Sequence, residues 1–313
     1  MSRTGRVAAI VLALAGGGLV AWALSGRAVE YGDLAGADVS SEPSPDSAYT
    51  IDRVRLQGRS GGRVDCYLRR PVGGVAPGRA AIVLFGGIGT GRRAAMLVDP
   101  RYGGAILSCD YPWADPSRGS IWRALPRMPA IRGQIVGTPG ALALAASYLA
   151  SQPGVDTNRL AAIGASLAVP FVAAWAADDR RVAAVALIYG GGDLAALFEA
   201  NLRRRVGSGW LRRGLARGAA ILLGPLEPAR TVGRISPRPI LLVGSRDDER
   251  IPRASVDALV RAAGEPKTLV WFDGRHMMPR DTALLRLITD STVAWLERTL
   301  SASPSQHQVG ELK

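Results

Sequence analysis

The sequence contains little histidine, cysteine or lysine. Its 313 residues include two histidines, His276 and His307, and two cysteines, Cys66 and Cys109. So few ligands argue against a histidine-based metal centre, and two cysteines cannot build the framework of a small disulfide-rich domain. The sequence therefore predicts neither a metal site nor a cofactor.

The net charge of +13 comes almost entirely from arginine, since Lys267 and Lys313 are the only lysines. Such a charge suggests nucleic acid as a partner, but no DNA- or RNA-binding signature is present and the arginines are not interleaved with aromatic residues. We therefore predict no nucleic-acid partner. An anionic membrane surface is a better candidate partner, because the N-terminus also points to a membrane.

The first 26 residues resemble an export signal. Arg3 and Arg6 precede an uncharged apolar run at 7–24, and Ala21-Trp22-Ala23 offers a small-x-small cleavage site. Eighteen apolar residues also reach the lower limit for crossing a bilayer. We expect residues 1–26 to be a signal peptide or a membrane anchor. The body should then lie outside the cytoplasm, tethered by 7–24 or secreted after cleavage.

The remaining chain divides into three parts by composition. Residues 27–48 are rich in Ser, Pro, Gly and Asp and predict an exposed linker. Residues 49–300 form the predicted domain, and residues 301–313 predict a disordered tail. The domain opens with two predicted strands, 49–56 and 63–70. Between them, the pattern Gly-x-Ser-x-Gly at Gly58–Gly62 is typical of a hairpin turn.

From residue 80 onwards, short apolar runs alternate with stretches typical of helices. Runs that are apolar on both faces suit buried parallel strands, so the alternation predicts an α/β domain with one doubly wound, mostly parallel sheet. The predicted strands are 80–85, 105–109, 160–165, 182–189, 239–243 and 268–272. The predicted helices are 139–150, with Pro139 in its first turn, 167–177, 254–263 and 282–300.

A basic segment at about 194–237 interrupts this alternation. It holds eight arginines against Glu199 and Glu227, and its apolar residues recur at helical spacing. This pattern predicts basic amphipathic helices that cap a site, lie on a membrane surface or simply present a solvated arginine face. The arginines are 203, 204, 205, 212, 213, 217, 230 and 234.

The five residues Gly164–Ala168 read GASLA and lie between a predicted strand and a predicted helix. A nucleophilic serine at such a strand–turn–helix junction needs small neighbours, because the backbone crowds it. Ala168 replaces the second glycine of the usual pattern and adds only a methyl group. Ser166 is therefore the candidate nucleophile, and Ser60 in the hairpin turn is not.

A serine hydroxyl needs a base to accept its proton, and the base needs an orienting acid. His276 follows the strand 268–272 and is the only histidine in the domain. Asp247 and Asp248 follow the strand 239–243, so serine, acid and histidine occur in the chain order expected after such a junction. Asp247 is the preferred acid because it lies three residues beyond Gly244, and Asp248 is the alternative.

An oxyanion that develops in the reaction needs backbone N–H donors. Leu167 follows the candidate nucleophile and supplies one donor. The other should come from Gly87 or Ile88 in the glycine-rich loop after strand 80–85. A phosphate-binding loop would require a following Gly-Lys-Ser/Thr, which is absent.

Four motifs together carry a family resemblance: LFGGIG, GVDTNRLAAIGASLA, PILLVGSRDDERIP and FDGRHMMP. Residues 49–300 resemble the α/β-hydrolase fold, closest to dienelactone-hydrolase-like proteins and to the C-terminal domain of acyl-CoA thioesterases and bile-acid acyltransferases. Departures are Ala168, Phe85 in place of a frequent histidine, and a serine at 166 where dienelactone hydrolases have cysteine. The family's strand order implies that Cys66 and Cys109 lie on neighbouring strands, where a disulfide could join them.

These observations predict an exported serine hydrolase that cleaves a small-molecule carboxylic ester or thioester through an acyl-enzyme on Ser166. Two alternatives use the same fold. In the first, another nucleophile takes the acyl group and the protein is an acyltransferase. In the second, the domain is a non-catalytic binding protein at the membrane.

Overall fold

The computed structural model describes residues 17–87, 89–113 and 125–301. Nine strands form one sheet in the order β1-β2-β3-β5-β4-β6-β7-β8-β9. The pairs β1-β2, β2-β3 and β3-β5 are antiparallel. The remaining neighbours in this order, from β5-β4 to β8-β9, are parallel. The strands are β1 Leu34–Glu42, β2 Tyr49–Gly58, β3 Arg63–Pro71, β4 Ala81–Phe85, β5 Ile106–Cys109, β6 Leu160–Ala165, β7 Ala184–Ile188, β8 Ile240–Ser245 and β9 Lys267–Phe272.

The predicted doubly wound, mostly parallel sheet is confirmed. All six strands predicted from residue 80 onwards are present, with each end within two residues of its predicted position. The central strands are buried on both faces, which explains why their sequences are apolar throughout. Along β4, Val83 and Phe85 pack into one core, whereas Ile82 and Leu84 pack into the core on the opposite face.

Helices cover both faces of the sheet. The α-helices are α1 Met128–Ala150, α2 Val169–Asp178, α3 Leu194–Leu202, α4 Gly209–Leu222, α5 Pro228–Thr231, α6 Arg253–Ala262 and α7 Thr282–Ser301. Helices α1 and α2 pack on the face that holds Phe85. Helix α7 and the 3₁₀ helix Gly91–Leu97 pack on the face that holds Leu84. This second layer contributes walls to the cavity beside Ser166.

Helix α1 corrects one prediction, because it begins at Met128 and Pro139 lies in its interior rather than in its first turn. The sequence before Pro139 contains Gly133 and Gly137, which by themselves weaken a helix. In the fold these glycines make close packing possible. A Cβ at Gly133 would lie 2.2 Å from the Arg27 carbonyl oxygen, and one at Gly137 would lie 2.4 Å from that of Val29.

The prediction of a linker at 27–48 was wrong in part, because Leu34–Glu42 form strand β1. It pairs along its length with β2, but most of its side chains are exposed. Because an exposed edge strand buries no face, its side chains carry no alternating pattern. Backbone hydrogen bonds to β2, which only the folded sheet supplies, determine its conformation.

The hairpin predicted around Ser60 is confirmed between β2 and β3. Gly61 takes the positive φ of 92° that the turn requires. The N–H of Ser60 donates to the Tyr31 carbonyl at 3.1 Å, so this turn serves to hold the incoming chain against the sheet.

The disulfide implied by the family resemblance is present between Cys66 and Cys109. These cysteines face each other in the antiparallel register of β3 and β5.

Residues 17–24 are helical, whereas residues 1–16 and 302–313 lie outside the described residues. Most of the predicted signal peptide or anchor and nearly all of the predicted tail therefore fall on undescribed residues. Within 17–87, 89–113 and 125–301, no helix is both long and apolar enough to cross a bilayer.

Candidate active site

Ser166 lies at the turn between β6 and α2. Its φ is 54°, a left-handed conformation that residues with a side chain rarely adopt. The short 3₁₀ helix Ser166–Ala168 follows and leads directly into α2. This strained turn presents the hydroxyl at the carboxyl edge of the sheet, as a nucleophile requires.

Small residues flank this turn for two different reasons. A Cβ at Gly164 would lie 2.8 Å from the Cβ of Val172, so packing against α2 demands glycine there. Ala168 is fully buried, and its φ of −76° and ψ of −17° are helical. Because that conformation suits any residue, the missing second glycine does not disturb the turn.

His276 and Asp248 complete a hydrogen-bonded chain with Ser166. The Ser166 Oγ lies 2.9 Å from the His276 Nε2, and the His276 Nδ1 lies 2.8 Å from the Asp248 Oδ2. The side chains of His276 and Asp248 are each 2% exposed. An ionised carboxylate only accepts hydrogen bonds, so Nδ1 carries the proton and Nε2 accepts from the serine hydroxyl.

Asp248, not the preferred Asp247, therefore contacts the histidine. Asp247 lies exposed in the turn after β8. The Asp248 Oδ1 accepts from the backbone N–H of Arg250 at 2.8 Å and of Ile251 at 2.9 Å. These two bonds fix the carboxylate so that its second oxygen faces His276. The preference for Asp247 was wrong because spacing from Gly244 does not determine which of two adjacent side chains turns inwards.

Glu249 is a site residue that the sequence analysis missed. Its Oε2 accepts from the backbone N–H of His276 at 3.0 Å, and this bond lowers the pKa of the Glu249 carboxyl below its ordinary value. Arg275 lies 3.5 Å from the other oxygen and adds to the effect. Glu249 thus positions the backbone of the catalytic-base candidate. Its place next to Asp248 was the only signal available.

The glycine-rich loop lies against the serine, as predicted. A Cβ at Gly87 would lie 3.4 Å from the Ser166 Cβ, so the loop backbone directly adjoins the candidate nucleophile. Leu167 lies in the first turn of the 3₁₀ helix Ser166–Ala168, where backbone N–H groups have no partner within the helix. Ile88, the other predicted donor, lies outside the described residues.

Two side chains hold the loop in place. The Thr90 hydroxyl donates to the Gly87 carbonyl at 2.8 Å, and the Tyr111 hydroxyl donates to the Gly86 carbonyl at 2.7 Å. Gly86 cannot carry a side chain, because a Cβ would lie 2.1 Å from the Thr90 Oγ1. Phe85 packs against Tyr111 with ring centroids 4.4 Å apart, which gives the residue at this frequent histidine position a structural role.

A cavity of about 300 Å³ opens beside Ser166. Its walls come from the ends of the central strands, the 3₁₀ helix Gly91–Leu97, the Met277–Pro279 loop and α7. Most of its lining is apolar, including Leu84, Ala94, Leu97, Ile163, Ile188, Met277, Leu285 and Ile288.

The basic insert is helical, as predicted, but none of its described residues lines this cavity. It contacts the site's surroundings through Asn201, whose side chain donates to the Arg250 carbonyl at 2.8 Å. The predicted capping role therefore finds no support in the cavity walls.

No family model and no curated protein matches the sequence. Solved structures do match. An acetyl xylan esterase from Paenibacillus sp. R4 superposes with a TM-score of 0.63 at 18% identity and covers 91% of this chain and 93% of its own. This protein has the α/β-hydrolase fold.

Two further structures share this fold. Acetyl xylan esterase 1 from Thermoanaerobacterium sp. JW/SL YS485 gives a TM-score of 0.60 at 15% identity, with 91% of this chain and 93% of that chain covered. A cold-adapted esterase from an Arctic intertidal metagenomic library gives 0.54 at 17% identity, with 83% and 97% covered. The fold predicted from the four sequence motifs is thereby confirmed.

Proposed function

We propose that this α/β-hydrolase-fold protein is a serine hydrolase that cleaves carboxylic ester or thioester bonds through an acyl-enzyme on Ser166. One observation carries the proposal, namely the chain of hydrogen bonds from Asp248 through His276 to Ser166 at the carboxyl edge of the sheet. The esterases among its structural neighbours add support.

The geometry suggests the following reaction. The Ser166 Oγ attacks the carbonyl carbon while His276 Nε2 takes its proton, and Asp248 stabilises the imidazolium that forms. The N–H groups of Leu167 and of either Gly87 or Ile88 in the glycine-rich loop stabilise the oxyanion. Collapse of the tetrahedral intermediate breaks the ester bond as His276 returns the proton to the leaving oxygen or sulfur. Water, deprotonated by His276, then releases the acid and restores Ser166.

A fluorophosphonate probe tests the nucleophile in the full-length protein. We expect labelling of the wild type and of Ser60→Ala, and none of Ser166→Ala. Hydrolysis of p-nitrophenyl esters should follow the same pattern. A folded wild type that neither labels nor hydrolyses any ester would favour a non-catalytic binding protein. Ester formation on addition of an alcohol, in excess of hydrolysis, would favour acyl transfer.

We also propose that the domain is exported. The Cys66–Cys109 disulfide supports this, because structural disulfides persist mainly in oxidising compartments. Fusions of the full chain to alkaline phosphatase and to green fluorescent protein, made in a Gram-negative host, test the proposal. Phosphatase activity without fluorescence is the expected result. Fluorescence without phosphatase activity would place the domain in the cytoplasm.

An anionic membrane surface remains the proposed partner of one face. Among the residues that the structure describes, seven of the eleven large exposed hydrophobic residues fall within two segments, and these are Leu19, Trp22, Leu24, Trp210, Leu211, Leu215 and Ile221. The segments are adjacent, since Arg132 donates to the carbonyls of both Gly26 and Leu222. Exposed Arg213 and Arg217 on α4 supply positive charge beside the apolar side chains.

Vesicle flotation of the full-length protein tests this partner. Binding should require anionic lipid, weaken with salt and fall in Trp210→Ser. Leu287→Ser, an exposed leucine on α7, serves as the matched control and should bind like wild type. Equal binding to neutral vesicles, or an unchanged Trp210→Ser variant, would refute the assignment.

A further inference from the structure

We infer that the cavity beside Ser166 binds the acyl chain of the substrate, and that this chain is a single medium-length aliphatic chain rather than acetyl. The inference rests on the proposed function and names its substrate class. It comes from the chemistry of the cavity walls and from the way the cavity closes.

The cavity begins at the reacting atoms. Ser166 and His276 both line it, together with Gly87 of the glycine-rich loop. An acyl group bound to the serine oxygen therefore has this cavity next to its carbonyl carbon. A chain attached to that carbonyl can extend between the 3₁₀ helix Gly91–Leu97 and α7.

The threonine hydroxyls in the walls already have hydrogen-bond acceptors. Three threonines line the cavity, and each hydroxyl donates to a backbone carbonyl: Thr90 to Gly87 at 2.8 Å, Thr289 to Leu285 at 2.8 Å and Thr292 to Ile288 at 2.7 Å. These donors are thus not available to a ligand. Apart from the catalytic groups, Arg250 is the only charged residue among the described lining residues.

Such walls do not suit a sugar or another polar acyl group. A buried hydroxyl without a hydrogen-bond partner is costly, because it loses its bonds to water and gains none. Leu97, Ile163 and Leu285 instead offer aliphatic contact. A hydrocarbon chain is the ligand that these walls stabilise.

The cavity is also small. The Thr289 hydroxyl lies 3.2 Å from the Leu97 carbonyl oxygen, so α7 and the 3₁₀ helix meet and the two walls join. The volume of about 300 Å³ is at the lower end of ligand sites, which span roughly 300–1,000 Å³. It fits one chain and excludes a two-chain lipid.

Chain length should therefore determine the rate. Burying each methylene gains about 0.8 kcal/mol, or roughly fourfold in kcat/KM. We expect p-nitrophenyl hexanoate or octanoate to exceed p-nitrophenyl acetate by at least about tenfold. The rate should fall for dodecanoate and palmitate, because those chains exceed the closed end.

Two variants of the full-length protein move the optimum in opposite directions. Leu285→Ala enlarges the cavity and should shift the best substrate to a longer chain. Ala94→Leu fills it and should shift the best substrate towards acetate. Leu296→Ala is the matched control, because Leu296 is a buried leucine on the same helix that does not line the cavity. Its chain-length profile should equal that of wild type.

The possible failures are distinguishable. If the folded wild type neither cleaves any ester nor labels with the fluorophosphonate, the proposed function itself is refuted. Cleavage that is fastest with acetate and declines with every added methylene refutes only the acyl-cavity inference. A shift in Leu296→Ala equal to that in Leu285→Ala also refutes it. Circular dichroism confirms folding of each variant, and if Leu285→Ala does not fold, Ala94→Leu and the wild-type profile decide.

Discussion

Asp248→Asn should nearly abolish activity, whereas Asp247→Asn should leave it unchanged. The two carboxylates are adjacent in sequence, but only Asp248 is buried and 2.8 Å from the His276 Nδ1. The comparison therefore isolates the orienting role from charge, since both variants remove one negative charge from the same loop.

The magnitude follows from the hydrogen bonds of Asp248. Its Oδ1 accepts from the N–H groups of Arg250 and Ile251. In Asp248→Asn the amide oxygen keeps these two bonds. Turning the amide would leave both N–H donors facing an NH₂ group, and each unsatisfied donor would cost about 1–3 kcal/mol. The NH₂ group then faces the His276 Nδ1 and forces the proton onto Nε2. His276 in that tautomer cannot accept the proton of Ser166.

Loss of the productive tautomer costs about 10⁴-fold in kcat in triads of this kind. This corresponds to about 5 kcal/mol of transition-state stabilisation. We would measure kcat/KM with the best p-nitrophenyl ester, together with the thermal unfolding of each variant. Asp247→Asn should remain within about twofold of wild type, as expected for a surface charge. A large loss in Asp247→Asn together with an active Asp248→Asn would refute the assignment.

Three further predictions concern stability. The hydrogen bond from the His276 N–H lowers the pKa of the Glu249 carboxyl below its ordinary value of 4.5. Ionised Glu249 therefore stabilises the folded state fully above pH 4.5, and this contribution is lost as the pH falls through the lower folded-state pKa. Below about pH 4.5 the melting temperature of wild type should thus fall more steeply than that of Glu249→Gln, and parallel curves would contradict this. Gly214→Ala on exposed α4, where a Cβ meets nothing within 4 Å, should stabilise by about 0.5–1 kcal/mol in thermal unfolding. Replacing both Cys66 and Cys109 by alanine should lower the free energy of unfolding in urea by about 4 kcal/mol. The disulfide closes a loop across a sequence separation of 43, and without it the unfolded chain regains the corresponding entropy.

The sheet could be predicted from local patterns because its central strands are buried on both faces and are therefore apolar without interruption. Ser166 could be identified as the candidate nucleophile for a related reason, since a strand, a turn of small residues and a helix must follow one another in sequence. His276 could be identified as the candidate base because the domain contains no other histidine.

Features that depend on distant partners were predicted poorly. Strand β1 was assigned to a linker because its pairing with β2, and not its side chains, makes it a strand. The first turns of α1 were missed because Gly133 and Gly137 weaken a helix by themselves but permit the backbone of residues 27–29 to pack closely.

The sequence by itself determined the fold class and the candidate nucleophile, because both depend on residue types at fixed local spacing, and it determined the candidate base because the domain contains one histidine. Only the tertiary structure decided between Asp247 and Asp248, since the choice depends on which side chain the turn after β8 directs towards His276, which lies 28 residues beyond Asp248 in the chain. The cavity, likewise, exists only where the 3₁₀ helix Gly91–Leu97 meets α7. These segments are far apart in the chain, so no local pattern records the space that they enclose.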